Sequence, residues 1–173
     1  MKNCDKCGQE ILLPWENEPD ELFFIDKETG YQCQILRRCK KTEYRMIYLC
    51  GYVKIPENHP FYNLEYSNEL IPECNRKISI KGISYFICND YHDYECPSSL
   101  LEIHGGITFS QFARDDFLPD GFWYGFDCGH SGDISNKEDI EKFKEYVYRD
   151  IEYVKNECKS LARQLKSMES KDD

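Results

Sequence analysis

The chain is short of positive charge. Lys and Arg number 22 against 32 Asp and Glu, a formal net charge of −10 over 173 residues. So acidic a balance lacks the broad basic face that binding along a nucleic-acid backbone requires. No apolar run approaches the length of a transmembrane helix. Residues 1–7, Met-Lys-Asn-Cys-Asp-Lys-Cys, have no apolar stretch of the kind found in a secretory signal. The expected location is therefore the cytoplasm, with thiols kept reduced. On that expectation the ten cysteines are not a disulfide scaffold, and Cys50 and Cys158, flanked by apolar residues, read as small core residues. There is no Gly-x-Ser-x-Gly elbow and no P-loop pattern, which leaves a serine hydrolase of that type and a Walker NTPase unsupported. One local exception to the acidic balance is the run Arg37, Arg38, Lys40, Lys41 and Arg45. It reads as a solvated strand end, with recruitment of a small anion by Arg37 as the sharper alternative.

What is present is enough for one core and too little for two ordinary domains. Apolar residues make up 40% and aromatics 14%, which excludes a disordered polyelectrolyte. Residues 1–19 form a short head with a Cys-x-x-Cys-Gly turn. Residues 20–168 form a single domain, and residues 169–173 a frayed tail. Strand-like segments cover residues 21–26 and 31–38 around the turn Lys27-Glu28-Thr29-Gly30, then 44–55, 77–88, 100–109 and 122–128. The phase of apolar alternation changes around Gly82, which predicts a bulge or turn there.

The C-terminal third changes character. Ser135-Asn136-Lys137-Glu138 has capping-box spacing. Val147, Ile151, Val154, Cys158, Leu161, Leu165 and Met168 follow at alternating steps of four and three with no Gly or Pro, which predicts a long helix. The stripe fits packing on the chain's own sheet, with a homodimeric contact to a second copy as the alternative. Strands first and helix last point to an α+β fold, a mostly antiparallel sheet with a long C-terminal helix packed on it.

Two groups of residues carry chemistry. Cys4-x-x-Cys7-Gly8 has the spacing of half a zinc knuckle, two thiolates at two corners of a tetrahedron. The alternative is a pair of unliganded thiols. The second group lies between His104 and Asp133. Six of the ten glycines fall in this stretch, beginning with the triplet His104-Gly105-Gly106 and ending at Asp127-Cys128-Gly129-His130-Ser131-Gly132-Asp133. Glycine lets backbone come close to a bound group, and rigid strands commonly present functional groups on the loops at their ends. If His104, Asp127, His130 and Asp133 converge, two imidazoles and two carboxylates could hold Zn²⁺, Mn²⁺ or Fe²⁺ with an open water position. Without metal, the same groups are hydrogen-bonding and acid–base contacts for a small ligand. Taken singly, each also has a plain structural reading, such as Asp127 accepting loop N–H groups or Cys128 buried beneath the loop.

Several segments in order resemble a family of short, uncharacterised proteins of bacteriophages and prophages. They are Gly30-Tyr31-Gln32-Cys33-Gln34-Ile35-Leu36-Arg37, Leu49-Cys50-Gly51-Tyr52-Val53, His59-Pro60-Phe61-Tyr62, His104-Gly105-Gly106-Ile107-Thr108-Phe109, Trp123 through Asp133, and Tyr148-Arg149-Asp150-Ile151-Glu152-Tyr153-Val154 leading into Leu161-Ala162-Arg163-Gln164-Leu165. The Cys4/Cys7 head and residues 65–96 stand outside the pattern. The resemblance implies a host bacterial cytoplasm and an accessory role such as countering host defence, and it brings His59, Arg37 and Arg149 forward as neighbours of the site. An anionic nucleotide would then use Arg37 or Arg149 for phosphate, Gly105 and Gly106 for close backbone approach, and an aromatic face such as Tyr52 for the base.

The expected function is capture of a small anionic, nucleotide-like ligand, such as a host defence signal, by Arg37, Tyr52, His59, His104, Gly105, Gly106, Asp127, His130, Asp133 and Arg149. One alternative is a metal-dependent hydrolase of phosphoesters or nucleotides using His104, Asp127, His130 and Asp133. Another is a zinc-bearing interaction protein, with zinc on Cys4 and Cys7, dimerising through the C-terminal helix.

Overall fold

The computed structural model describes residues 2–3, 10–11, 18–40, 46–66, 76–80, 83–87, 97–113 and 117–169. In chain order the elements are β1 (Lys2–Asn3), β2 (Glu10–Ile11), β3 (Glu21–Ile25), β4 (Gln32–Lys40), β5 (Met46–Ile55), β6 (Arg76–Ile80), β7 (Ile83–Ile87), α1 (Pro97–Leu100), β8 (Phe109–Phe112), β9 (Phe122–Asp127), α2 (Lys137–Lys142) and α3 (Ile151–Met168). The central sheet has the order β3-β4-β5-β9-β8, antiparallel at every step. Helix α3 packs on β4 and β5. The architecture is thus the α+β arrangement expected. β1 with β2, and β6 with β7, form separate two-stranded ladders; the bulge or turn expected around Gly82 lies outside the described residues.

Strand β5 is central, so both of its faces are covered and it reads as a near-continuous apolar run. Leu49, Val53 and Ile55 join the cluster beneath α3, together with Cys33, Ile35, Phe122, Tyr124 and Phe126. Tyr48, Cys50 and Tyr52 point the other way and pack with Leu36, Leu118 and Trp123. The β3–β4 turn is set by Asp26, whose Oδ2 accepts from both the N–H and the hydroxyl of Thr29, while Gly30 takes φ +79°.

Helix α3 buries Val154, Cys158, Leu161, Leu165 and Met168 against this sheet. The apolar stripe is therefore spent within the chain's own core. Its first member is not helical: Val147 is exposed and forms a parallel bridge with Asp133. The helix begins at Ile151 because Asp150 serves as N-cap, its side chain accepting from the Tyr153 N–H. The start of α2 is likewise one residue later than the Ser135–Glu138 spacing predicts. Asn136 is the N-cap and Asp139 completes the capping box, while Asp139 Oδ2 also accepts from the Ser135 N–H and hydroxyl.

The strand expected over residues 100–109 is displaced. Pairing starts only at Phe109, and residues 101–108 are irregular. Gly105 and Gly106 take φ of +66° and +83°, and two successive left-handed residues cannot continue an extended ladder. His104 thus sits in a tight turn rather than at a strand end. At the other end of the chain, Glu18, within the expected head, and Asp20, at the start of the expected domain, are both ion-paired to Arg37 on β4. No helix among the described residues is long and apolar enough to cross a membrane.

Candidate functional site

The turn of His104 and the loop after β9 meet beside the start of α3. Asp133 is the hub: its side chain is 1% exposed. Oδ2 accepts from His104 Nε2 at 2.7 Å and from the His130 N–H at 3.2 Å, and Oδ1 accepts from Arg149 Nε at 2.9 Å. A buried carboxylate is tolerated only when so fully paired. The main chain fixes this corner independently. Asp133 bridges Val147, with Val147 N–H bonded to the Gly132 carbonyl and Ile134 N–H to that of Val147.

Both nitrogens of His104 are engaged. Nε2 faces the Asp133 carboxylate, which accepts and does not donate, so in the neutral form of the ring the single proton sits on Nε2. Nδ1 is then bare, and the Tyr153 hydroxyl 3.1 Å away donates to it. The backbone of the same residue is held too, His104 N–H donating to Glu157 Oε2 at 2.9 Å. Burial, followed by the charge of Glu157, raises the Tyr153 hydroxyl above its ordinary value of 10, so it is neutral at rest.

Arg149 lies over the Tyr153 ring, its Cζ 4.8 Å from the centroid. The hydrogen bond to Asp133 is the largest influence holding its charge above the ordinary range. Only Nε is spent on Asp133. Among the described residues, the terminal amino groups of this 27% exposed side chain have no hydrogen-bond partner.

His130 packs closely against Gly105: a Cβ on Gly105 would lie 2.0 Å from His130 Nε2. That nitrogen is buried and, among the described residues, has no hydrogen-bond partner, with Asp127 Oδ1 at 3.7 Å. Asp127 Oδ1 itself accepts from the Gly129 N–H. The His104 and His130 rings are 5.7 Å apart.

His104, Gly105, Asp127, His130, Asp133 and Arg149 are therefore brought together, and Gly106 continues the turn. The arrangement is one of side chains bonded to one another: among the described residues, no group of three or more His, Cys, Asp or Glu is disposed to hold a metal ion. Cys4 and Cys7, the expected zinc ligands, lie outside the described residues. Cys128 is 2% exposed, and burial, then Asp133, push its thiol far above the reactive range, so it belongs to the core.

Three expected ligand contacts sit elsewhere. Arg37 is buried and bonded to Glu18, Asp20 and Tyr148. Tyr52 is buried in the opposite core cluster, edge-on to Phe109. His59 accepts from the Phe61 N–H at Nδ1 and donates from Nε2 to the Leu165 carbonyl near the end of α3. Conversely, Tyr153 and Glu157 belong to the site although neither is among the expected contacts, Tyr153 standing in a resembling segment without a role of its own. Their only signal is a spacing of four, which puts both on one face of the predicted helix.

No protein-family model, curated protein or solved structure matches this chain.

Proposed function

We propose that this protein captures a small anionic, nucleotide-like ligand at the corner formed by Arg149, Tyr153, His104 and the Gly105-Gly106 turn. The observation that carries the reading is the state of Arg149. Its Nε is fixed by a buried carboxylate and its plane is fixed over an aromatic ring, which leaves the terminal N–H fork pre-aimed and, among the described residues, unpaired. A guanidinium so held loses little entropy on binding a planar or tetrahedral oxyanion. The acidic partners do not oppose an anion strongly. Asp133 is turned inward with both oxygens taken by donors, and Asp127 accepts from a loop N–H. The resemblance to phage-encoded proteins supplies a setting, sequestration of a host defence signal.

Equilibrium dialysis against cyclic mononucleotides and cyclic dinucleotides, followed by denaturation and chromatography, tests the reading. Expected is recovery of bound nucleotide, with affinity lowered about 10- to 100-fold in Arg149→Lys, which keeps the charge but loses the fork. Absence of binding at micromolar protein, or equal binding by the Lys variant, overturns it.

A further inference from the structure

Three side chains of this corner form a connected line: hydroxyl, imidazole, carboxylate. The Tyr153 hydroxyl is 3.1 Å from His104 Nδ1, and His104 Nε2 is 2.7 Å from Asp133 Oδ2. A nucleophile bonded to a base, which is oriented in turn by a third group, is the general signature of covalent catalysis on any fold. We infer that Tyr153 is a nucleophile towards phosphoesters, with His104 its general base and Asp133 the residue that positions the imidazole. The inference rests on the reading of this corner as a site for phosphoryl anions and adds a reaction to it.

The geometry assigns each group a task. Asp133 fixes the tautomer with the proton on Nε2, the only one in which Nδ1 can take the Tyr153 proton. The imidazole is further immobilised by its own backbone, since His104 N–H is tied to Glu157 on the same helix that carries Tyr153. Arg149, stacked over the Tyr153 ring, places positive charge over the phenol that develops negative charge, and its terminal amino groups, unpaired among the described residues, are there to meet the phosphoryl oxygens. A structural tie between a turn and a helix needs one hydrogen bond. It does not need a buried carboxylate behind the imidazole and a guanidinium over the phenol.

In the first step the Tyr153 Oη–P bond forms and the bond from phosphorus to the leaving oxygen breaks. The proton passes from Oη to His104 Nδ1 and on to the leaving oxygen, releasing an alcohol. In the second, water attacks the phosphotyrosyl group and gives its proton to His104. The O–P bond to Tyr153 breaks, and the phenol is restored as phosphate product departs.

The probe is bis(p-nitrophenyl) phosphate with the full chain, followed by p-nitrophenolate absorbance, acid quench and peptide mass spectrometry. Expected are a burst equal to the protein concentration and an aryl-phosphoryl adduct on Tyr153. Tyr153→Phe keeps the ring beneath Arg149 and should bind the probe but lose burst and adduct. His104→Gln should slow adduct formation about 10²- to 10⁴-fold, with the deficit shrinking as pH rises and the phenol ionises unaided. Bound probe without a burst, an adduct on another residue, or an undiminished burst in Tyr153→Phe overturns the inference and leaves ligand capture standing. Absence of probe binding together with absence of nucleotide binding removes both.

Discussion

Gly105 and Gly106 look interchangeable in the sequence and are not so in the fold. Both have positive φ, +66° and +83°, which costs an L side chain about 1 kcal/mol or more. They differ in what a methyl group would meet. At Gly106 there is nothing within 4 Å, whereas at Gly105 the methyl group would occupy the His130 ring. Gly106→Ala is therefore expected to lower stability by about 1 kcal/mol in urea unfolding and to leave ligand affinity within about 2-fold. Gly105→Ala should displace His130, disturb the His130 N–H bond to Asp133 and abolish binding. Equal binding by the two variants in dialysis would show that the close approach of Gly105 to His130 is unimportant. Residue types at this corner were legible: a metal-like set of His and Asp among glycines pointed to His104, Asp127, His130 and Asp133, and they do meet. Their use was not legible. Whether an imidazole faces a shared point or a neighbouring carboxylate depends on angles that spacing along a chain does not encode. Tyr153 was invisible for the same reason, being one tyrosine among 13.

At the level of elements, the long helix was plain from its period, because α3 buries one stripe and exposes the rest. Its start was not, since Val147 keeps the apolar phase while a main-chain bridge to Asp133 removes it from the helix. The strand expected over residues 100–109 failed on backbone grounds, because the glycines inside it turn the chain. The far end of α3 carries a pH-sensitive joint. His59 is buried, donates to the Leu165 carbonyl and accepts from the Phe61 N–H, with Glu169 and Lys166 the nearest charged groups. Burial, the largest influence, lowers its proton affinity below the ordinary 6.5, and a protonated Nδ1 would confront a donor. The unfolded chain therefore binds this proton more readily, so the stabilisation is complete above about pH 6.5 and is lost as pH falls through the lower folded value. Urea midpoints at about pH 7.5 and about pH 5.5 should differ more in the parent protein than in His59→Gln. An identical pH dependence in the two would place the acid sensitivity elsewhere.

Across the whole molecule, the two arginines first considered for phosphate divide into a strut and a contact. Arg37 lies on the α3 side of β4 with its side chain 1% exposed. Nη2 is 3.0 Å from Glu18 Oε2 and Nε 2.9 Å from Asp20 Oδ1, and Nη1 reaches the Tyr148 hydroxyl. Glu18 in turn accepts from the Tyr148 hydroxyl and the Ile151 N–H. One guanidinium thus ties residues 18–20, the sheet and the entry to α3 into a single unit, and no fork remains for a ligand. Removing one member of a buried ion cluster costs about 3–5 kcal/mol when the abandoned charges stay dry. Here Glu18 and Asp20 are 14% and 29% exposed and can rehydrate in part, which brings the expectation to about 2–3 kcal/mol for Arg37→Met. The same variant should alter nucleotide affinity less than about 3-fold once measured on folded protein, because Asp133 and Tyr153, not Arg37, aim the Arg149 fork. Arg149→Lys should give the opposite result, affinity lost with stability nearly kept. Urea unfolding and equilibrium dialysis on the two variants separate these outcomes. A tenfold loss of affinity in Arg37→Met with an unchanged unfolding midpoint would return Arg37 to the ligand and dissolve the division argued here.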